Sequence, residues 1–336
     1  MRLITAALVI TAGLGACTGE VRSTSEPTSP ALAKVNADAW AQARSVELAI
    51  AGTSTAFNTT FLDGCPFVAR DDRTFFMAST RPGGQGGIDI WISTRESPDG
   101  PWSEPVNAGP TLNSSSNDFC PTLARDGHTF YFASNRPGGC GGDDLYVTRL
   151  HGDVARLTQD LEIEPGEAWF EQPENLGCAV NSAGNEASPF PLEQPGAGPV
   201  LYFSSTRAGG ASAEPAGAIA GDADLYMAQW QGGGFLAPSL VPGVNTGWEE
   251  GQPNLSRDAL EIFFYSNRPG TLGGNDIYSA IRSSARSSFA VPFNLGPNVN
   301  SAAAETRPSL SWDGRTLYFG STRPGEGLSD IYVTTR

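Results

Sequence analysis

Five carboxylates, Asp63, Asp118, Glu186, Glu250 and Glu305, each stand three residues before a proline, at Pro66, Pro121, Pro189, Pro253 and Pro308. Acidic oxygens repeated at one structural position can do several kinds of chemistry. Converging on an axis, they would ligate a hard cation such as calcium or form a negative funnel for a basic partner. Two of them at a suitable separation would serve as the carboxylate pair of a glycoside hydrolase. A structural use competes with these, in which each acid bonds backbone N–H groups or an arginine of its own unit. Recurrence favours the structural use, because a scaffold need recurs fivefold whereas one ligand rarely demands fivefold symmetry.

The other repeated charges invite the same reading. A Ser-x-Arg element ends at Arg81, Arg136, Arg207, Arg268 and Arg323, and an Asp-(Ile/Leu)-(Tyr/Trp) element begins at Asp89, Asp144, Asp224, Asp276 and Asp330. Arg81 with Asp89, or Arg136 with Asp144, flank one Gly-rich loop and are expected to pair across it. The glycines between them are a poor phosphate cradle, since no lysine follows and no helix N-terminus is expected there. Residues that break the symmetry are better binding candidates: Trp248, Glu249, Gln252, Arg307 and an insertion from Ala208 to Ala223. Trp248 beside acids would suit a sugar or a peptide, and equally fits as packing. Arg307 precedes Pro308 where the other repeats carry Cys65, Cys120, Ser188 and Gln252, and is expected to face a central channel and neutralise the acid ring. Only two histidines exist, His128 and His151, and no Gly-x-Ser-x-Gly elbow appears. No catalytic residue is assigned.

The spacing of these residues dictates the elements that hold them. Successive repeat arginines are 55, 71, 61 and 55 residues apart, too long for a helical solenoid repeat and suited to four short strands with their turns. In the second copy strand A is 121–124, an Arg125-Asp126-Gly127 turn leads to strand B at 129–134, and strand C is 144–149. Strand D is expected to open with an aromatic residue near a proline: Trp102 and Pro105, Trp169 and Pro173, Phe235 and Pro238, Phe289 and Pro292. The fifth copy lacks a strand D after Arg336, and the segment from Trp40 to Asp63 carries the pattern that follows the others. The spacing therefore predicts an all-β fold, a five-bladed β-propeller of four-stranded antiparallel blades, closed by an N-terminal strand that removes the exposed edges. Blade three departs most, with Leu192-Glu193-Gln194-Pro195-Gly196 in place of the Asp-Gly turn.

Composition agrees. The 336 residues include 40 Gly and 25 Pro, with no long 3.6-period stretch that a helix would need. The net charge is −15, and Lys34 is the sole lysine; such a surface repels phosphate backbones, which excludes nucleic acid as a partner.

The repeat resembles the WD-like repeat of TolB-type propellers and of many exported bacterial propellers, over residues 40–336. Such propellers serve as binding platforms, regulatory domains and occasionally enzymes, so the resemblance implies fold more than activity. The first residues read as an address: Arg2, then an apolar run from Leu3 to Leu14, ending in Leu14-Gly15-Ala16-Cys17, which resembles a bacterial lipobox. An ordinary signal peptide is the alternative. The lipobox implies lipidation at Cys17 and, with Thr18 following, an outer-membrane lipoprotein facing the periplasm or the cell surface. Residues 1–17 are then the signal peptide, 18–35 a flexible tether and 36–336 the propeller. Export to an oxidising compartment makes pairing of Cys140 with Cys178, and of Cys65 with Cys120, the expected disulfides. The function so implied is a non-enzymatic envelope binding or scaffolding module for a protein or glycan partner. It would act as a monomer or within a complex, need no cofactor unless calcium, and touch the membrane only through its lipid. The alternative is a propeller glycoside hydrolase using two ring acids.

Overall fold

The computed structural model describes residues 39–152, 154, 157, 169–194, 198–211 and 222–336. The proposed leader with Cys17, the tether and most of the blade-three insertion lie outside these. After β1 (Arg44–Ser45) and one turn of helix, α1 (Val46–Ala49), the described residues are almost entirely strand and loop. Blade one is β2 (Asp63–Val68), β3 (Thr74–Ser79), β4 (Asp89–Thr94) and β5 (Val106–Asn107). Blade two is β6 (Asp118–Leu123), β7 (Thr129–Ser134), β8 (Asp144–Arg149) and β9 (Glu174–Asn175). Blade three is β10 (Glu186–Gln194), β11 (Gly198–Ser205) and β12 (Asp224–Gln231), with both β13 (Gly234–Phe235) and β14 (Ser239–Leu240) on β12. Blade four is β15 (Glu250–Leu255), β16 (Glu261–Ser266), β17 (Asp276–Ile281) and β18 (Phe293–Asn294). Blade five is β19 (Glu305–Leu310), β20 (Thr316–Ser321) and β21 (Asp330–Thr335), completed by β1. The fold is a five-bladed β-propeller of antiparallel sheets.

Closure by β1 is the registered pairing of Arg44 with Val333 and Ser45 with Tyr332. It is reinforced where Ala41 N–H donates to the Thr335 carbonyl at 2.8 Å, and Trp40, 1% exposed, sets its ring edge against Phe263 of blade four. Arg336 lies over Trp40, 4.7 Å from the ring centroid, and pairs with Glu261 at 2.8 Å.

Each blade is sandwiched between two others, so its B strand is apolar on both faces. Side chains alternate across a strand. Phe75 therefore meets Tyr318 of blade five at 5.3 Å between centroids, while Phe76 meets Phe130 of blade two at 5.0 Å. Burying each such ring contributes about 1.5–3 kcal/mol. Strand D is shorter than expected from its aromatic residues. It pairs over two residues only, beginning directly after Pro105, Pro173, Pro238 and Pro292, because proline has no N–H for the ladder. Trp102 and Phe289 go instead into the inter-blade core. In blade three Phe235 forms the extra hairpin with Trp230.

Candidate functional site: the axial channel

The repeated acids open each A strand, and all five are fully buried. None faces the axis as a ligand. Asp63 takes Arg81 Nη2 at 2.6 Å, Asp118 takes Arg136 at 2.6 Å, Glu186 takes Arg207 at 3.2 Å, Glu250 takes Arg268 at 2.9 Å and Glu305 takes Arg323 at 3.0 Å. The other carboxylate oxygens accept from the preceding loop; the Thr59 N–H and hydroxyl, for example, reach Asp63 at 2.6 and 2.7 Å. Each arginine also donates to a carbonyl of that loop, as Arg136 Nη2 does to Leu112 at 2.8 Å. Burial acts to lower the pKa of Arg268, against the pull of Glu250. These pairs bolt each D-to-A loop to the following B strand. These acids thus serve the structural use that their recurrence favours, and build neither a calcium ring nor a negative funnel at the channel mouth. Among the described residues no three His, Cys, Asp or Glu side chains are grouped to hold a metal ion.

The expected Arg–Asp pairing across the Gly-rich loop is corrected too. Asp89 accepts the N–H groups of Gln85 and Gly86 and the Asn107 amide, and Asp144 likewise accepts from Cys140, Gly141 and Asn175. The arginine goes elsewhere because antiparallel pairing sets Asp63 opposite Ser79, two residues before Arg81. Burial raises the Asp89 and Asp330 carboxyls above their ordinary range. A repeated asparagine clamps strand C: Asn113 accepts from Ile90 N–H at 2.8 Å and donates to its carbonyl at 2.9 Å.

What does line the channel is the third residue of each A strand. Cys65, Cys120, Ser188, Gln252 and Arg307 all adopt positive φ, between 47° and 58°, and each lies within a register shift of its strand pair. A left-handed residue without glycine costs about 1–3 kcal/mol, and such bulges re-aim side chains. These five side chains, with the following prolines, enclose a constriction of about 40 Å³. Cys65 and Cys120 are joined there (S–S 2.01 Å, Cα–Cα 4.7 Å). A second bond, Cys140 to Cys178 (S–S 2.03 Å, Cα–Cα 5.5 Å), ties the B-to-C loop of blade two to the loop leaving that blade.

Ser188 Oγ, Gln252 Oε1 and Arg307 Nε are shut off from solvent and have no hydrogen-bond partner among the described residues. Burial pushes the Arg307 pKa down, opposed by Tyr265. No carboxylate of the acid ring reaches it, so it does not neutralise that ring. Space for it comes from the next blade, since a Cβ on Gly64 would stand 2.7 Å from Arg307 Nη1. Gly251 makes room similarly for Tyr265, whose ring a Cβ would meet at 2.4 Å. Tyr265 donates to Glu249 Oε1 at 2.6 Å, and burial and then Glu249 hold its pKa well above the ordinary value. The structure thus brings Gln252, Arg307 and, through Tyr265, Glu249 to one side of the channel. Trp248 stays half-buried in its loop, its N–H on Thr246 Oγ1.

On the opposite face, the A-to-B turns surround a bowl of about 350 Å³ that adjoins the constriction. Its wall is mixed, with Val68, Leu123, Leu192, Leu255 and Leu310 beside Asp71, Thr122, Asp126 and Ser311, and its rim carries Arg70, Arg125, Arg257 and Trp312. The Arg125 and Arg257 guanidiniums lie over the Trp312 ring, 5.5 and 5.4 Å from its centroid. Arg70 donates to the Arg125 carbonyl at 3.3 Å. The bowl's carboxylates are occupied. Asp71 and Asp126 lock their own turns, Asp126 accepting from His128 N–H, Thr129 N–H and the Thr129 hydroxyl. Burial would raise Asp126, but these bonds outweigh it and hold it below the ordinary range. In the sequence Arg125-Asp126-Gly127 reads only as a turn, and the rim is not evident from it. Its signal was the arginine repeated before the turn aspartate, with Trp312 replacing it once.

No protein-family model matches the sequence, and no curated protein does. Solved structures are similar in shape. A thermostable family-43 glycoside hydrolase superposes with a TM-score of 0.53 at 11% identity, over 85% of this chain and 91% of that one. An α-L-arabinofuranosidase from Lactobacillus brevis gives 0.52 at 11%, over 82% and 90%. A putative TolB from Agrobacterium tumefaciens gives 0.46 at 14%, over 84% and 77%. At these identities the likeness defines a class by fold, the five-bladed propeller, and assigns no activity.

Proposed function

We propose that the protein is a non-enzymatic binding module of the cell envelope, whose axial bowl takes an apolar side chain and an adjacent carboxylate from a protein partner. The observation that carries this reading is the bowl itself: a cavity of about 350 Å³ whose leucine and valine side chains lie beside polar groups, rimmed by three arginines and Trp312, on a chain of net charge −15. Cavities of this size that combine apolar side chains with polar groups are the usual form of ligand sites, and guanidinium groups suit carboxylates. The envelope placement rests on the Leu14–Cys17 motif. Hydrolysis of a glycan would need two free carboxylates about 5–10 Å apart, and the repeated acids are each closed by an arginine.

The test is fluorescence anisotropy with peptides ending in leucine or phenylalanine, each as free acid and as amide. Saturable binding of the acids, weakened by amidation and by Trp312→Ala or Arg257→Ala, is the expected result. Equal behaviour of acid and amide would sink the reading. So would hydrolysis of arabinan or xylan by the wild-type protein, lost on paired carboxylate substitutions that leave the fold intact.

A further inference from the structure

The constriction above the bowl poses a separate problem of charge. Arg307 is the one charged residue among those lining it. Its Nε, the Ser188 hydroxyl and the Gln252 amide oxygen are all enclosed and unpartnered. Arg307 is half-buried, and a guanidinium drawn partly out of bulk water with no carboxylate beside it attracts an anion, since it does not escape by losing its proton. The carboxylates that could answer it are committed elsewhere, Glu305 to Arg323, Glu250 to Arg268 and Glu249 to Tyr265.

We propose that the constriction is a binding site for a small monovalent anion of carboxylate size, held by Arg307 with Ser188 and Gln252. The three residues occupy the same bulged position in blades five, three and four, so their side chains converge on one side of the axis. The Cys65–Cys120 bridge fills the other side. That wall offers no competing charge and keeps the local dielectric low, which strengthens attraction between guanidinium and anion. A volume of about 40 Å³ holds roughly three water-sized groups, enough for formate or a halide. Ser188 supplies a hydroxyl donor. Gln252 now sets Nε2 3.8 Å from Cys120 Sγ and leaves its oxygen bare. Turning the amide by 180° about its last bond exchanges the two and aims the NH₂ inward.

The experiment measures melting temperature and ¹³C-formate line width at constant ionic strength, with formate or chloride replacing a bulky sulfonate buffer anion. The wild-type protein should gain melting temperature saturably with formate and broaden its resonance. Arg307→Met should abolish both effects, and in sulfonate alone it should melt no lower than wild type, since the unpaired charge is gone. An arginine with a purely structural role predicts the opposite, a variant that melts lower at every anion concentration. Absence of saturable dependence in the wild type, or its survival in Arg307→Met, overturns the site. If Arg307→Met does not fold, Ser188→Ala and Gln252→Leu decide: each should weaken formate about tenfold, the loss of one hydrogen bond to a charged group, and unchanged affinity in both overturns it. The peptide assay of the bowl does not enter, so either proposal can fail alone.

Discussion

Glu250→Ala removes a carboxylate that is fully buried and accepts four hydrogen bonds. Thr246 N–H and hydroxyl reach it at 2.6 Å each, Ser266 Oγ at 2.9 Å and Arg268 Nη2 at 2.9 Å. The substitution strands the Arg268 guanidinium, whose side chain is 11% exposed, and leaves the Thr246 N–H without its acceptor. Breaking a buried pair on one side costs about 3–5 kcal/mol, which at about 2 °C per kcal/mol for a domain of this size lowers the melting temperature by about 6–10 °C. Glu250→Gln keeps an acceptor of the same length and should cost about 1–3 kcal/mol. Arg268→Ala loses packing on Phe264 and Tyr278 as well. The double variant should nevertheless cost less than the two single changes together, by about 1–3 kcal/mol of coupling. Denaturant melts of wild type, Glu250→Ala, Arg268→Ala and the double variant close the cycle. A Glu250→Ala cost below about 1 kcal/mol, or additivity of the two changes, would refute the bolt assigned to this pair.

Trp40→Ala should destabilise by about 3–5 kcal/mol, because it empties the contact between the closing strand and Phe263; a melt indistinguishable from wild type would reject the closure scheme. Replacing Cys140 and Cys178 by serine together, or Cys65 and Cys120 together, opens loops of 38 and 55 residues and should cost about 4 kcal/mol in each case. Non-reducing peptide maps of the wild type that yield free thiols would contradict both bonds. Asp126, Asp258 and Asp313 share one acid response: burial raises each, but turn hydrogen bonds leave each below its ordinary 3.8. Their folded values lie below the unfolded ones, so the stability they contribute is present above about pH 4 and is lost as the pH falls through the folded values. Asp258→Asn should therefore lose less melting temperature than wild type on acidification below about pH 4, and parallel acid melts would contradict that.

Much of the fold was legible in the sequence because it is local and repeated. The aromatic B strands and the turn aspartates recur in the blades as short local patterns. The closing role of the segment after Trp40 could be read because an incomplete fifth repeat leaves an edge that only the other end can fill. That each acid serves its own unit was legible from recurrence, but the register that rules out the nearer aspartate was not. Arg81 stands eight residues from Asp89 and eighteen from Asp63, yet the strand register selects Asp63, since antiparallel pairing makes distant residues neighbours and side-chain direction decides which charges meet. Of the axial site, the channel position of Arg307 was legible and the bowl was not. Arg125 of blade two and Trp312 of blade five meet over the bowl, and Ser188, Gln252 and Arg307 share one constriction, because closing the ring brings every innermost strand to one axis. Residue types and periods determined what each blade is made of; convergence on that axis is a property of the closed ring, which no single repeat contains.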